Sequence, residues 1–258
     1  MNCFAPSVSP MPLHVDRRDA VAVLTIDDPD RKNALSPEMV DAIVETVGGL
    51  NDDPEIGALV VTGAGSVFCS GADLGNLVKL TAAEGGDPTE VREIYNGFLA
   101  FRDSPLPTIA AVNGPAVGAG MNLALVCDVR VSCPTARFDT RFAQIGLHPG
   151  GGHVWMLDRL AGPQTTAAMA LFGERVDGER AVGLGLAWAC VPDAELVDTA
   201  VAMAARAASV PRDLMAKVKQ TVRDAPLQPH FEAAVMTELD RQAWSFAQGY
   251  LNERVRRP

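Results

Sequence analysis

The sequence contains no apolar run approaching the ~18–20 residues that cross a bilayer, so no transmembrane helix and no membrane partner are expected. It also lacks basic excess: 22 Lys and Arg against 32 Asp and Glu leave a formal net charge of −10. Phosphate contacts need a basic surface, so a nucleic-acid partner is disfavoured. Otherwise the acidity is a statement about solubility, and an anionic ligand would need a local basic patch such as Arg31-Lys32. There is no CxxC pair. Five scattered cysteines, Cys3, Cys69, Cys127, Cys133 and Cys190, favour a reducing compartment and disfavour a zinc site, and no metal is expected. Residues Met1 to Leu13 have neither a charged n-region nor a long apolar h-region. The expectation is therefore a cytoplasmic protein without a signal peptide, its first 13 residues a loose proline-containing leader.

What is present fits a soluble globular chain: 258 residues, 48% apolar and 21% charged, enough for one large domain or a domain with an appendage. From Ala20, short β-branched runs alternate with amphipathic helices. Val21–Ile26 reads as a strand ending at Asp27-Asp28-Pro29. Ser36-Pro37-Glu38 starts a helix, with Ser as N-cap and Pro at the first helical position. Met39, Val40, Ile43, Val44, Val47 and Leu50 then recur at three and four, a buried stripe. Ala58–Thr62, Thr108–Val112, Val129–Val131 and Leu186–Val191 read as further strands. A helix carries Val91, Ile94, Tyr95, Phe98 and Leu99. Strands alternating with helices predict an α/β fold with largely parallel pairing. From Asp193 the chain reads as helix, including a segment after Pro211 with Leu214, Met215, Val218 and Val222 on its buried face. The implied organisation is a leader (1–13), a core (14–192) and a C-terminal helical region (193–258).

Two stretches carry chemistry. Cys69-Ser70-Gly71-Ala72-Asp73-Leu74 and Val112-Asn113-Gly114 through Gly118-Ala119-Gly120-Met121-Asn122 are β-runs that break into small residues and then open a helix. The first amides of a helix have no intrahelical acceptor and sit at the positive end of the macrodipole. Small residues let a ligand oxygen come close to them. Two such sites converging on one oxygen would form an oxyanion hole. Gly118-Ala119-Gly120 is not a dinucleotide fingerprint, because Leu123 stands where its third glycine belongs and no early βαβ unit surrounds it.

In these residues the chain resembles the crotonase (enoyl-CoA hydratase/isomerase) superfamily, from about Val21 to Leu251. Asp28-Pro29 to Lys32-Asn33-Ala34-Leu35 is similar to the first CoA-contacting segment. Phe68–Leu74 and Ala110–Asp128 are similar to the two oxyanion segments. Gly173-Glu174-Arg175-Val176 and Ala181–Leu186 are similar to the lead-in to the helical tail. The resemblance implies a spiral of ββα turns with a helical C-terminal region, assembled as a homotrimer or dimer of trimers. It implies an acyl-CoA or enoyl-CoA ligand and no other cofactor. It places the oxyanion amides at Ala72 and Ala119, and ligand contacts at Arg31, Lys32, Ala34, Asp73 and Leu74. Alanine at 119, where relatives carry glycine, requires a backbone without positive φ.

The chain departs from the family where hydration needs two glutamates. Asn122 and Phe142 stand at those positions, and neither exchanges a proton near neutral pH. A positioned acid or base contributes ~10²–10⁴ in rate, so efficient hydration is not expected. His148, a few residues past Phe142, is the candidate replacement; its plainer reading is a turn histidine before Pro149. His153 reads as structural or lining, Asp139 and Arg141 as a salt bridge, Glu84 and Asp87 as part of a solvated loop. Asp73 and Asp128 read as turn and helix-end structure, and Cys69 as a buried small residue with no activating base. Two functions follow: a hydratase/isomerase-family enzyme acting on a thioester enolate, with decarboxylation, isomerisation or thioester cleavage at least as plausible as hydration, or a non-catalytic acyl-CoA carrier.

Overall fold

The computed structural model of the protein describes residues 12–82 and 88–256. It opens with β1 (Leu13–Arg18), which turns back antiparallel onto β2 (Val21–Ile26). A 3-10 turn at Pro29–Arg31 and α1 (Pro37–Asp52) lead to β3 (Ala58–Gly63). Then come α2 (Leu74–Ala82), α3 (Pro88–Asp103), β4 (Thr108–Val112), β5 (Pro115–Val117) and α4 (Ala119–Val126). The core continues through β6 (Val129–Ser132), β7 (Arg137–Asp139), α5 (His153–Phe172), β8 (Val176–Asp177), α6 (Gly178–Gly183) and β9 (Ala189–Cys190). The C-terminal region is α7 (Leu196–Ala208), α8 (Arg212–Asp224), α9 (Phe231–Ala247) and α10 (Tyr250–Arg256).

The main sheet has the order β1-β2-β3-β4-β6-β9 and is parallel from β2 onward. A parallel sheet covered on both faces reads as unbroken apolar sequence, and every residue of β3 and β4 is buried. Helix α7 packs on β2, β3, β4 and β6. A second sheet, β5-β7-β8, stands apart from the first. Single bridges Leu35↔Ala72 and Cys69↔Ala116 give the earlier turns the same form. Each turn thus runs from a main-sheet strand to a short second segment and then to a helix: β2–Leu35–α1, β3–Cys69–α2, β4–β5–α4, β6–β7–α5. This is the expected α/β spiral of ββα turns.

Local chemistry explains the joints. Ser36 Oγ accepts from Met39 N at 3.2 Å and Pro37 opens α1, the cap read from sequence. Two asparagines tie the turn after β3. Asn33, left-handed at φ 58, donates to Ala64 O and Val67 O. Asn113 accepts from Gly63 N and donates to Gly65 O. Beyond that turn, the chain from Ser66 to Gly71 lies directly on β5 and the start of α4. A Cβ on Gly114 would sit 2.1 Å from Ser66 O, and one on Gly120 would sit 2.2 Å from Cys69 O. Glycine is the residue that permits this backbone-on-backbone contact.

Several expectations need adjustment. β1 carries no alternation strong enough to announce it, and all of it beyond Leu13 is exposed. It starts one residue before the expected leader boundary; residues 1–11 of that leader lie outside the described residues. The strand expected over 186–191 shrinks to Ala189–Cys190, because Leu186 and Ala187 bond back to Ala181 O at the end of α6. Val44 is exposed although it shares the α1 spacing, and the α8 stripe is not buried: Val218 is 46% and Val222 68% exposed. In α8, Lys219 is the buried residue, held by Asp128 at 2.7 Å and by Leu106 O at 2.5 Å. Tethering by Lys219 turns part of the apolar stripe outward.

Two glycine substitutions separate contact from conformation. Gly120→Ala should destabilise the chain by about 1–3 kcal/mol or prevent folding, since Cys69 O cannot retreat. Gly48→Ala, in exposed α1 surface with nothing within 4 Å, should stabilise it by about 0.5–1 kcal/mol. Chemical denaturation of the two variants beside the parent checks both signs.

Candidate active site

The turn at Gly71 brings the two small-residue segments together. Gly71 has φ 101, and a Cβ there would lie 2.7 Å from Val117 O and 3.5 Å from Ala119 N. Gly118, at φ 54, precedes α4 and donates its N–H to Asp139 O at 2.9 Å. Within these two segments the positive φ angles fall on Gly71 and Gly118, and Ala72 and Ala119 carry none. Alanine is accommodated at 119 on the condition stated from sequence. Among the described residues, neither the Ala72 N–H nor the Ala119 N–H has an acceptor in the protein. Both residues line one cavity of about 970 Å³.

That cavity also gathers Arg31, Lys32, Ala34, Asp73 and Leu74, the full expected set of ligand contacts. They are laced together locally. Leu35 N donates to Gly71 O at 2.8 Å, Ser70 N to Lys32 O at 3.1 Å, and Ser70 Oγ to Arg31 O at 3.2 Å. Asp73 Oδ1 accepts from Asn76 N at 2.9 Å in the first turn of α2, the turn role read for it. Apolar side chains of Val91, Ile94, Ile145 and Leu147 supply other walls. An apolar cleft with a few placed polar groups is the general form of a small-molecule site.

Asn122 and Phe142 are not equivalent in place. Phe142 lines the cavity, its ring 3.8 Å from where a Cβ on Gly118 would stand. Asn122 lies behind the wall, 1% exposed, donating Nδ2 to Gly150 O at 3.0 Å. Its Oδ1 lies 2.7 Å from His153 Nδ1, and His153 Nε2 lies 3.0 Å from Thr140 Oγ1. With the Asn122 oxygen as acceptor, Nδ1 carries the proton and Nε2 accepts from the Thr140 hydroxyl. Burial alone holds the His153 pKa down at about 4, so the ring is neutral in this chain of three. The Phe142 ring meets the His153 ring edge-on at 5.2 Å. His153 and Thr140 thus belong to the site's support, a role that sequence spacing did not reveal. The one available signal was the glycine run before His153: a Cβ on Gly151, at φ 67, would meet Asn122 Nδ2 at 2.9 Å.

His148 lines the cavity too, with Nδ1 2.8 Å from Pro149 O, which leaves Nε2 as its basic nitrogen. Cys69 is fully buried and its thiol is pushed up to about 12 by that burial, which removes it as a nucleophile. Asp128 accepts from Thr108 N and Oγ1 and pairs with Lys219, so it anchors strand to helix. Asp139 pairs with Arg141 at 2.6 Å, as expected, and also with Arg175 at 3.0 Å. Tyr95 completes the cavity wall. Glu84 and Asp87 lie outside the described residues. Among the described residues, no cluster of His, Cys, Asp and Glu could hold a metal, and no helix is long and apolar enough to cross a membrane.

The buried histidine makes stability depend on pH. The unfolded chain protonates His153 near 6.5 and the folded chain near 4, so stability is complete above 6.5 and falls as pH drops toward 4. Denaturant titrations at pH 7 and 4.5 should differ by about 2–3 kcal/mol from this group. His153→Gln should remove that part of the difference.

Comparison with known proteins agrees with the geometry. The sequence profile of the Enoyl-CoA hydratase/isomerase family matches residues 16–249. A Mycobacterium tuberculosis (strain ATCC 25618 / H37Rv) protein named "Probable enoyl-CoA hydratase EchA14" is 46% identical over 244 residues, covering 92% of each chain. The 1,2-epoxyphenylacetyl-CoA isomerase of Escherichia coli (strain K12) is 35% identical, covering 82% of this chain and 81% of its own. The crystal structure of an enoyl-CoA hydratase from Polaromonas sp. JS666 superposes with a TM-score of 0.83 at 28% identity, covering 92% of this chain and 91% of its own. With the ββα spiral, the family profile over residues 16–249 and relatives of this identity and coverage, the chain belongs to the enoyl-CoA hydratase/isomerase (crotonase) family.

Proposed function

We propose that the chain binds an acyl-CoA thioester in the large cavity, with the thioester oxygen between the amides of Ala72 and Ala119, where they stabilise an enolate. The observation that carries this reading is that, among the described residues, the N–H groups of Ala72 and Ala119 have no protein acceptor and both residues line one cavity, where a Cβ on Gly71 would stand 3.5 Å from Ala119 N. Arg31 and Lys32, at the same cavity, supply the positive charge that the CoA phosphates require. The relatives' names support the thioester class.

Efficient hydration is outside this reading. Water addition across an enoyl double bond needs a base and an acid, and Asn122 and Phe142 provide neither. Asn122 is also locked behind the wall by Gly150 and His153. Reactions that reach the enolate with fewer proton transfers fit better: decarboxylation forms it directly by loss of carbon dioxide. Isomerisation and thioester cleavage also remain within the class, and the Escherichia coli relative is named as an isomerase. His148 Nε2 is the basic group at hand for a single proton transfer. The second reading, a carrier that holds its thioester unchanged, is favoured by one feature. The Asn122–His153–Thr140 chain is neutral and closed, and Phe142 presents only an apolar ring. The exposed apolar residues of α8 and α9 support self-association, for which the family resemblance implies a trimer or a dimer of trimers.

Pure protein with short, medium and long trans-2-enoyl-CoA separates both readings from hydration. Saturable binding with the conjugated absorbance retained is expected; mass gain of one water at the rate of a true hydratase would remove the reading. Ala119→Pro tests the amide itself, since proline is tolerated at the first helical position and replaces the N–H with the ring Cδ, which both removes the donor and fills its place. The bound thioester carbonyl stretch should shift to lower frequency in the parent and lose that shift in the variant. Any turnover should fall by roughly 10²–10³. An unchanged stretch in the parent would mean that the oxygen lies elsewhere.

A further inference from the structure

The outer face of the small sheet is charged, and it adjoins the large cavity. Strand alternation puts Ala116, Phe138 and Val176 inward, all buried. The register Pro115↔Arg137, Val117↔Asp139 and Arg137↔Asp177 puts those partners on the opposite face. A side pocket of about 320 Å³ lies on that face, and it shares Pro115, Val117 and Arg141 with the large cavity. Arg141 is thus the charged residue common to both.

Its surroundings fix it in place. Arg141 adopts a left-handed backbone, φ 56, which a non-glycine residue keeps only where its neighbours over-determine it. Its Nε and Nη2 donate to Asp139 Oδ2 at 3.1 and 2.6 Å, and Arg175 Nε reaches the same oxygen at 3.0 Å. Asp139 is 5% exposed and is the acceptor for both guanidinium groups. The other charges on this face are committed: Asp177 accepts from Arg180 N at the start of α6, and Arg137 Nη1 donates to Pro134 O and Ala136 O. Two arginines against one carboxylate leave a positive charge uncompensated, in a chain whose net charge is −10. Among the described residues, Arg141 Nη1 has no acceptor.

We propose that Arg141, oriented by Asp139, binds a free carboxylate at the far end of the acyl group, so that the substrate class is the dicarboxylic acyl-CoA thioesters. This rests on the thioester reading above and adds the chemistry of the acyl end. A guanidinium recognises a carboxylate by charge-assisted hydrogen bonds, and one already held on two nitrogens has little freedom to lose. Arg175, on the other side of Asp139, is a positioning residue.

Calorimetric titration with matched thioesters tests it: succinyl-, glutaryl- and adipyl-CoA against butyryl-, pentanoyl- and hexanoyl-CoA. In the parent, at least one dicarboxylic member should bind about tenfold tighter than its monocarboxylic match, a preference that shrinks with added salt. Arg141→Gln should bring the ratio to about one by weakening the dicarboxylic series. Arg141→Gly, at ease with the left-handed backbone, should do the same and guards against a folding defect. Equal affinity for the two series in the parent, or a preference that survives both variants, would overturn the assignment while leaving thioester binding intact. Failure of every thioester to bind the parent would overturn the thioester reading and this assignment with it.

Discussion

The structure depends on one backbone contact: the segment from Ser66 to Gly71 pressed against β5 and the first turn of α4. Carbonyl groups stand where the Cβ atoms of Gly114 and Gly120 would be, so no side chain intervenes. The contact sets the spacing of two consecutive ββα turns and also leaves Ala72, just before α2, and Ala119, at the start of α4, on the wall of one cavity. Fold and site therefore share a cause. The left-handed angles that the corner requires are absorbed by Gly71 and Gly118, which is why alanines serve as the flanking residues. Backbone amides need no particular side chain, so a site of this kind can persist while the side chains around it change.

Where the family resemblance implies two carboxylates for hydration, the chain has an amide and a phenyl ring, and it supports the amide with a neutral histidine and a hydroxyl. A carboxylate at 122 would set an oxygen against Gly150 O, where Asn122 now donates. A phenyl ring at 142 packs on the His153 edge. The two replacements are physically coupled through His153, whose neutrality follows from its burial. Proton traffic has been traded for a rigid, uncharged wall.

Charge stands instead on the outer face of the small sheet. The doubly paired Asp139 and the strained Arg141 backbone hold one guanidinium at the junction of two pockets, while Arg31 and Lys32 occupy another part of the large cavity. Positive charge at two places and apolar walls between them suit a ligand that is anionic at both ends.

Much of this was legible in the chain itself. Ser36-Pro37 announced α1, unbroken apolar runs announced the covered parallel strands, and the small-residue segments announced the two glycine corners at Gly71 and Gly118, because each is a local rule of capping, burial or backbone freedom. The seven lining residues expected from motif order all reached one cavity. Tertiary structure alone decided the rest. Spacing cannot tell that α8 would be tethered through Lys219 and show Val218 and Val222 to solvent, nor that exposed β1 would pair with β2. It cannot bring His153 to Asn122 across 31 residues, or Arg175 to Asp139 across 36, because those contacts depend on where strands of the second sheet fall beside helices of the spiral. Sequence determined the backbone's options and the chemistry available at each position. Packing decided which of those groups met, and so which were satisfied, neutral or left with charge to offer a ligand.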